Sequence, residues 1–248
     1  MVFDLIAWAS GALIGWGVRR RYLAHGTPSG FRLSQHPGYI IAVALCAGMG
    51  ALLAGGGNMA LADLPPLGHS VAGAIAGGII GAEGYKLACG IKGSTGLVFV
   101  APLVAGIAIG RWGCFLAGLP DYTYGIPTGL SWGVDFGDGI PRHPVQLYES
   151  FAMLGFLSWF LVVLERNRLS ESPSLMLRGS FYILVGFYAA QRFVWEFLKP
   201  YPRVLGPFDM FHFLMLALFA YSLCMLWGEQ RRHEQARKRK TGAQALSA

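Results

Sequence analysis

The chain has 248 residues, 54% of them apolar and 13% charged, where an average soluble domain is roughly 25% charged. That deficit points to lipid as the solvent and excludes an ordinary water-soluble domain. The net charge of +7 comes from cations scattered between apolar runs and gathered in one short tail. No basic stripe is interleaved with base-stacking aromatics, so a nucleic-acid binder is excluded too.

A membrane span needs about 20 mostly apolar residues, and seven stretches qualify: 2–18, 38–61, 70–90, 96–118, 145–164, 179–198 and 207–228. The first is followed by Arg19, Arg20 and Arg21 and shows no small-residue cleavage site, so it is expected to persist as an anchor. The third is glycine-rich, GAIAGGIIGAEG at 73–84, a composition that lets helices approach closely, and it carries Glu83 and Lys86 near its end. The fourth contains Arg111 inside GIAIGRWGCFLAGL, 106–119. A long connection at 119–144 leads to the fifth; the sixth contains FYAAQRFVWEFLKP, 187–200; the seventh runs into the basic segment EQRRHEQARKRK, 229–240. The expected fold is an all-α integral membrane protein: one polytopic domain over 1–228 and a basic cytoplasmic tail over 229–248. Cys46, Cys89, Cys114 and Cys224 lie far apart without a CxxC spacing, so neither a metal, a disulfide framework nor a cofactor is expected.

Cation placement orients the bundle. With the tail in the cytoplasm, seven spans put the N-terminus outside, and 15 of the 20 Lys and Arg fall on the inner side. The other five are Arg111, Arg142, Arg192, Lys199 and Arg203, each in the outer half of a span or on an outer loop. A charge at membrane depth costs several kcal/mol and by default faces the bundle interior. The five cations are expected to converge on one face as a phosphate site in the outer leaflet, a reading set against the plainer one of intramembrane ion pairs with Glu149, Glu196 or Asp135.

Two segments carry most of the remaining chemistry. In PRHPVQLYE, 141–149, the residues Arg142, His143, Gln146, Tyr148 and Glu149 gather where the fifth span starts, with His143, Gln146 and Glu149 at three-residue spacing. In the sixth span Tyr188, Arg192, Glu196 and Lys199 form one polar stripe on an otherwise apolar helix.

In these residues the chain resembles the prolipoprotein diacylglyceryl transferase family. The resemblance runs from about residue 68 to 228. It rests on Gly110-Arg111-x-Gly113-x-Phe115, the downstream Gly125, Pro141-Arg142-His143-Pro144-x-Gln146-Leu147-Tyr148-Glu149, and Tyr188…Arg192…Glu196. It implies a seven-span fold in the bacterial inner membrane and phosphatidylglycerol entering sideways from the bilayer. It further implies that Arg111 and Arg192 contact the lipid headgroup, within a substrate-binding set of Arg111, Gly113, Gly125, Arg142, Gln146, Tyr148, Glu149, Tyr188, Arg192 and Glu196. The diacylglyceryl group would pass to the thiol of a lipoprotein precursor, with release of glycerol phosphate. The chain departs from the family pattern at several points. Cys114, Ala117 and Leu119 stand where the family has Asn, Asn and Glu, and Ala72 stands near the family's histidine, with His69 three residues away.

Thiol attack on the glycerol carbon needs cationic stabilisation of the leaving phosphate and a base. Arg111 and Arg192 suit the first need. His143 is the candidate for the second, against the plainer reading that it caps the helix or meets a headgroup. Glu149 and Glu196 are read as orienting the arginines. Cys114, beside Arg111, is either a nucleophile or an inert buried thiol. Two functions follow: a phosphatidylglycerol-dependent transferase, or an inactive phospholipid-binding protein of the same fold.

Overall fold

The computed structural model describes residues 2–23, 30–66, 68–170 and 173–246, with side chains described except at 2, 4 and 236–246. The side chains of Arg237, Lys238, Arg239 and Lys240 in the basic segment therefore lie outside the described residues.

The chain is mostly helical. In order it forms α1 (Val2–Tyr22), α2 (Pro37–Leu61), α3 (Val71–Ala88), α4 (Leu97–Ala117), α5 (Val145–Asn167), a short α6 (Leu175–Arg178), α7 (Ser180–Glu196) and α8 (Met210–Leu246). Two small antiparallel ribbons occur between helices. In one, β1 (Val134–Asp135) pairs with β2 (Pro141–Arg142); in the other, β3 (Arg203–Leu205) pairs with β4 (Phe208–Asp209). Each long helix covers one of the apolar stretches with its ends moved by a few residues. The largest differences are at charged ends: α1 continues through Arg19–Arg21, and α8 continues beyond residue 228. Apolarity sets how much helix lipid can cover, whereas arginine, lysine and glutamate are good helix formers and do not stop a helix.

Four helices, α2, α4, α5 and the Met210–Gln235 part of α8, are long and apolar enough to cross a membrane. The other three differ for visible reasons. The 17 residues of α7 span only about 25 Å at 1.5 Å each. The 18 residues of α3 include Glu83 and Lys86, and α1 ends on three arginines. The α3 charges are paired: Lys86 Nζ donates to Glu83 at 2.8 Å, and the Tyr221 hydroxyl of α8 donates to Glu83 Oε1 at 2.9 Å.

Local sequence explains the helix ends. The Ser70 hydroxyl accepts the Gly73 amide and caps α3; the Asp209 carboxylate accepts the Phe211 and His212 amides and caps α8. Pro144 stands just before α5, where a missing amide hydrogen is harmless.

The helices pack chiefly as the pairs α2–α3, α1–α4, α4–α5 and α7–α8, and α4 also meets α7. Close approach between α2 and α3 requires the small residues: a Cβ at Gly81 would lie 2.6 Å from the Ala42 carbonyl oxygen. Along α4, Val100, Ala101, Val104, Ala105 and Ala108 are buried, and this apolar face ends at Arg111. The outward faces instead expose large apolar residues such as Trp8, Leu45, Leu53 and Ile80. This inversion of the soluble pattern is what lipid as solvent requires.

Candidate functional site

The site sits where α4 ends, α5 begins and α7 ends. The Ser150 hydroxyl of α5 donates to the Ala108 carbonyl of α4 at 2.8 Å. That bond fixes the two helices one turn from Arg111 and next to Glu149. Arg111 Nε stands 2.5 Å from Glu149 Oε2, and both side chains are almost wholly buried.

Glu149 collects two more cations. Arg192 Nη1 of α7 donates to Glu149 Oε1 at 2.5 Å, and Lys199 Nζ, just beyond α7, donates to the same oxygen at 2.8 Å. Arg192 Nε also donates to Glu196 Oε1 at 2.6 Å, one turn along its own helix. Three cations therefore face two carboxylates, a buried group with one net positive charge. Removing any member of such a group costs far more than a surface ion pair is worth, because it strands a charge away from water.

Around this group lies hydrogen-bonding capacity that the protein itself does not use. Both amide atoms of Gln146 and of Gln191, the Tyr188 hydroxyl, Trp195 Nε1 and Glu196 Oε2 are buried without a partner. Gln146 precedes Glu149 by one turn of α5; Tyr188, Gln191 and Trp195 share the α7 face with Arg192. Buried polar atoms are normally paired. So many unpaired together leave donors and acceptors that a polar ligand could take up.

The connection 118–144 folds onto this surface. The Gly125 amide donates to the His143 carbonyl at 3.0 Å, the His143 amide to the Ile126 carbonyl at 3.1 Å, and the Ile126 amide to the Leu198 carbonyl at 2.7 Å. A Cβ at Gly125 would lie 2.6 Å from His143 Cβ, so only glycine fits beneath the imidazole. Gly113 serves a different contact, facing Phe3 of α1. His143 Nδ1 lies 3.3 Å from the Tyr148 hydroxyl, which also accepts Trp132 Nε1–H at 2.9 Å. The Tyr148 ring then packs on Trp195 with centroids 5.3 Å apart, linking the loop to α7.

Of the five outer cations, three meet at Glu149 and two do not. Arg142 makes a bidentate pair with Asp138, two bonds of 2.7 Å, and lies over the Tyr124 ring. Arg203 pairs with Asp209 at 3.1 Å. Asp135 pairs with no cation among the described residues; its carboxylate accepts the amides of Gly137, Asp138 and Gly139. In the exposed loop, the hydrogen bonds from Arg142 hold the Asp138 carboxyl below the usual carboxylate range. Lys199, Gln191 and Trp195 were not among the sequence-derived binding residues. Lys199 is part of the polar stripe and one of the outer cations read from the sequence; for Gln191 and Trp195 the signal was position alone, beside or one turn from Arg192.

The positions that depart from the family pattern are apolar here too. Ala72 is buried, and Cys114 Sγ accepts from Arg111 Nη1 at 3.9 Å. Two buried guanidiniums in a net-cationic cluster beside unpaired amides suit a phosphate, whose oxygens match the fork of each arginine.

A family model described as prolipoprotein diacylglyceryl transferase matches residues 1–228. Among curated proteins the chain is similar to proteins named phosphatidylglycerol–prolipoprotein diacylglyceryl transferase. The one from Geobacter sulfurreducens is 36% identical over 126 residues, 48% of this chain and 45% of that protein. The one from Cupriavidus metallidurans is 40% identical over 112 residues, covering 44% and 38%. The one from Cupriavidus pinatubonensis is 33% identical over 150 residues, covering 57% and 51%. The chain thus spans about half or less of the length of the curated relatives it matches. No solved structure matches it.

Proposed function

The chain belongs to the prolipoprotein diacylglyceryl transferase family, and from that membership we propose that it moves a diacylglyceryl group from phosphatidylglycerol to a cysteine thiol of a prolipoprotein. One observation carries the reading: Arg111 and Arg192, on separate helices, grip one buried carboxylate in a cluster with net positive charge and unpaired polar atoms. In the reaction the thiol sulfur bonds to the terminal glycerol carbon of the diacylglyceryl group. The bond from that carbon to the phosphate oxygen breaks, and its electrons leave with glycerol phosphate. The thiol proton passes to His143. Arg111 and Arg192 take the phosphate oxygens as charge grows on the leaving group. Glu149 and Glu196 hold the two guanidiniums in register. Gln146, Tyr148 and Tyr188 line this cluster; Gly113 and Gly125 let α1 and the loop close on it; Arg142 steadies the loop.

The same reading places the protein in the bacterial inner membrane with seven spans, the N-terminus outside and the C-terminus in the cytoplasm. Its support is the match of seven apolar stretches to seven long helices, and the gathering of 15 of 20 Lys and Arg on one side. Its partners are then phosphatidylglycerol and lipoprotein precursors. The deciding experiment supplies phosphatidylglycerol labelled in its acyl chains, together with a lipobox peptide, to the purified protein. Label should move to the peptide thiol as glycerol phosphate is released. Intact headgroup binding with no transfer would instead make this a phospholipid-binding member of the family.

A further inference from the structure

At the end of the bundle away from Glu149, a concave site of about 190 Å³ is lined by Lys92, Ser94, Leu97, Arg178, Glu229 and Arg232. It lies where α4 and α7 begin and where α8 runs past its apolar part. At 1.5 Å of rise per residue, Leu97 and Arg111 are about 21 Å apart along α4, so the site is separate from the Glu149 cluster.

Its chemistry is that of an anion site. Arg232 is held by Glu229 at 3.1 Å, whereas the side chains of Lys92 and Arg178 form no ion pair or hydrogen bond among the described residues. Three cations thus face one carboxylate. The first turn of α4 starts at Gly96 with no side chain capping it and brings Leu97 to the site; the Phe99 amide donates to the Gly96 carbonyl, and the positive end of the helix dipole faces this end of the bundle. Ser94 is 7% exposed, and its hydroxyl faces the Tyr182 hydroxyl without completing a bond of ordinary geometry. A positive-inside bias accounts for cations at this end of the bundle. It does not account for a buried serine hydroxyl among them, nor for Glu229 kept 2% exposed to hold Arg232 in place.

We infer that this is a second binding site, for a phosphate group. Lys92 and Arg178 supply charge, Ser94 Oγ–H and the first-turn amides of α4 donate to the phosphate oxygens, and Leu97 forms an apolar edge. A phosphate of this kind reaches the site from two sources, an anionic phospholipid headgroup or inorganic phosphate in solution.

Lys92 is exposed, so its amine reactivity reports occupancy. The full chain in phosphatidylcholine nanodiscs is treated with an acylating reagent, and modification of Lys92 is followed by peptide mass spectrometry relative to Lys238 and Lys240. One arm adds phosphatidic acid to the bilayer; the other adds inorganic phosphate to the buffer. Slowing of Lys92 modification on the order of fivefold, about 1 kcal/mol of occupancy, is expected in at least one arm. Slowing by the lipid alone assigns the headgroup; slowing by inorganic phosphate assigns the soluble ion. Arg178→Gln, which strands no partner, and Ser94→Ala should each abolish the slowing, and Arg111→Lys in the other cluster should leave it intact. Equal Lys92 rates in both arms, slowing that survives Arg178→Gln and Ser94→Ala, or slowing lost in Arg111→Lys would each overturn the site.

Discussion

Arg111 Nε and Glu149 Oε2 are 2.5 Å apart at the junction of α4 and α5, and this contact makes Glu149 the anchor of the whole cationic cluster. Its other oxygen already holds Arg192 and Lys199. One carboxylate therefore sets the positions of three cations drawn from α4, α7 and the segment after α7. The ion-pair and phosphate-site readings of these arginines are thus compatible: the pairs fix the geometry, and the surplus positive charge is left for a ligand.

Glu149→Gln should be among the most damaging single substitutions in the chain. It keeps the shape but leaves three buried cations against Glu196 alone, and breaking a buried ionic group in this way costs about 3–5 kcal/mol. Thermal unfolding of the detergent-solubilised protein should show a midpoint lowered by on the order of 10 °C, at roughly 2–4 °C per kcal/mol for a chain of this size. An unchanged midpoint would remove Glu149 from its role as anchor.

Arg111→Lys and Arg192→Lys test the fork rather than the charge. Lysine keeps a positive charge near Glu149 but offers no planar pair of donors to a phosphate. The fold should survive, while transfer from phosphatidylglycerol to a lipobox peptide falls by on the order of tenfold, the low end for one lost hydrogen bond to a charged group. Full activity in both variants would mean that neither guanidinium touches the phosphate.

Much of this arrangement was legible before any coordinates. Arg111 in an apolar run, and Tyr188, Arg192 and Glu196 at helical spacing, had to face the interior because lipid would not accept them. Helical periodicity also placed Gln146 beside Glu149. What the sequence did not disclose was which cation finds which anion. Asp138 claims Arg142 because it lies in the turn closing the β1–β2 ribbon, four residues before Arg142 on the returning strand, and Asp209 claims Arg203 across the second ribbon. Those pairings depend on turn geometry within loops, which composition does not encode. Lys199 was legible as a cation but not as a ligand of Glu149, since its placement follows from how the chain leaves α7.

The Asp138–Arg142 pair gives the loop a pH dependence with a definite sign. Arg142 lowers the Asp138 pKa in the folded state, so its contribution to loop order is full above the ordinary aspartate value of about 3.9 and is lost as pH falls through the lowered folded value. Proteolytic nicking within 119–144 should therefore rise at acid pH in the wild type. In Asp138→Asn, nicking should already be raised at neutral pH and should respond less to acid. Identical acid profiles for the two proteins would show that the pair does not order the loop.

His143 provides the sharpest test of the chemistry. Two roles fit its position: accepting the thiol proton, or holding the Tyr148 hydroxyl that lies 3.3 Å from its Nδ1. His143→Ala removes both roles, whereas Tyr148→Phe removes only the second and keeps the ring packed on Trp195. If His143 is the base, His143→Ala should slow glycerol phosphate release by about tenfold to a hundredfold, at the low end of general acid–base assistance, and should flatten the acidic limb of the kcat profile. Tyr148→Phe should keep that limb and lose less rate, since the imidazole remains in place above Gly125. Equal losses in the two variants, with the acidic limb unchanged in both, would make His143 a positioning residue. The proton would then have to leave the thiol by another route, and the free Oε2 of Glu196, buried beside Arg192, would be the next group to replace.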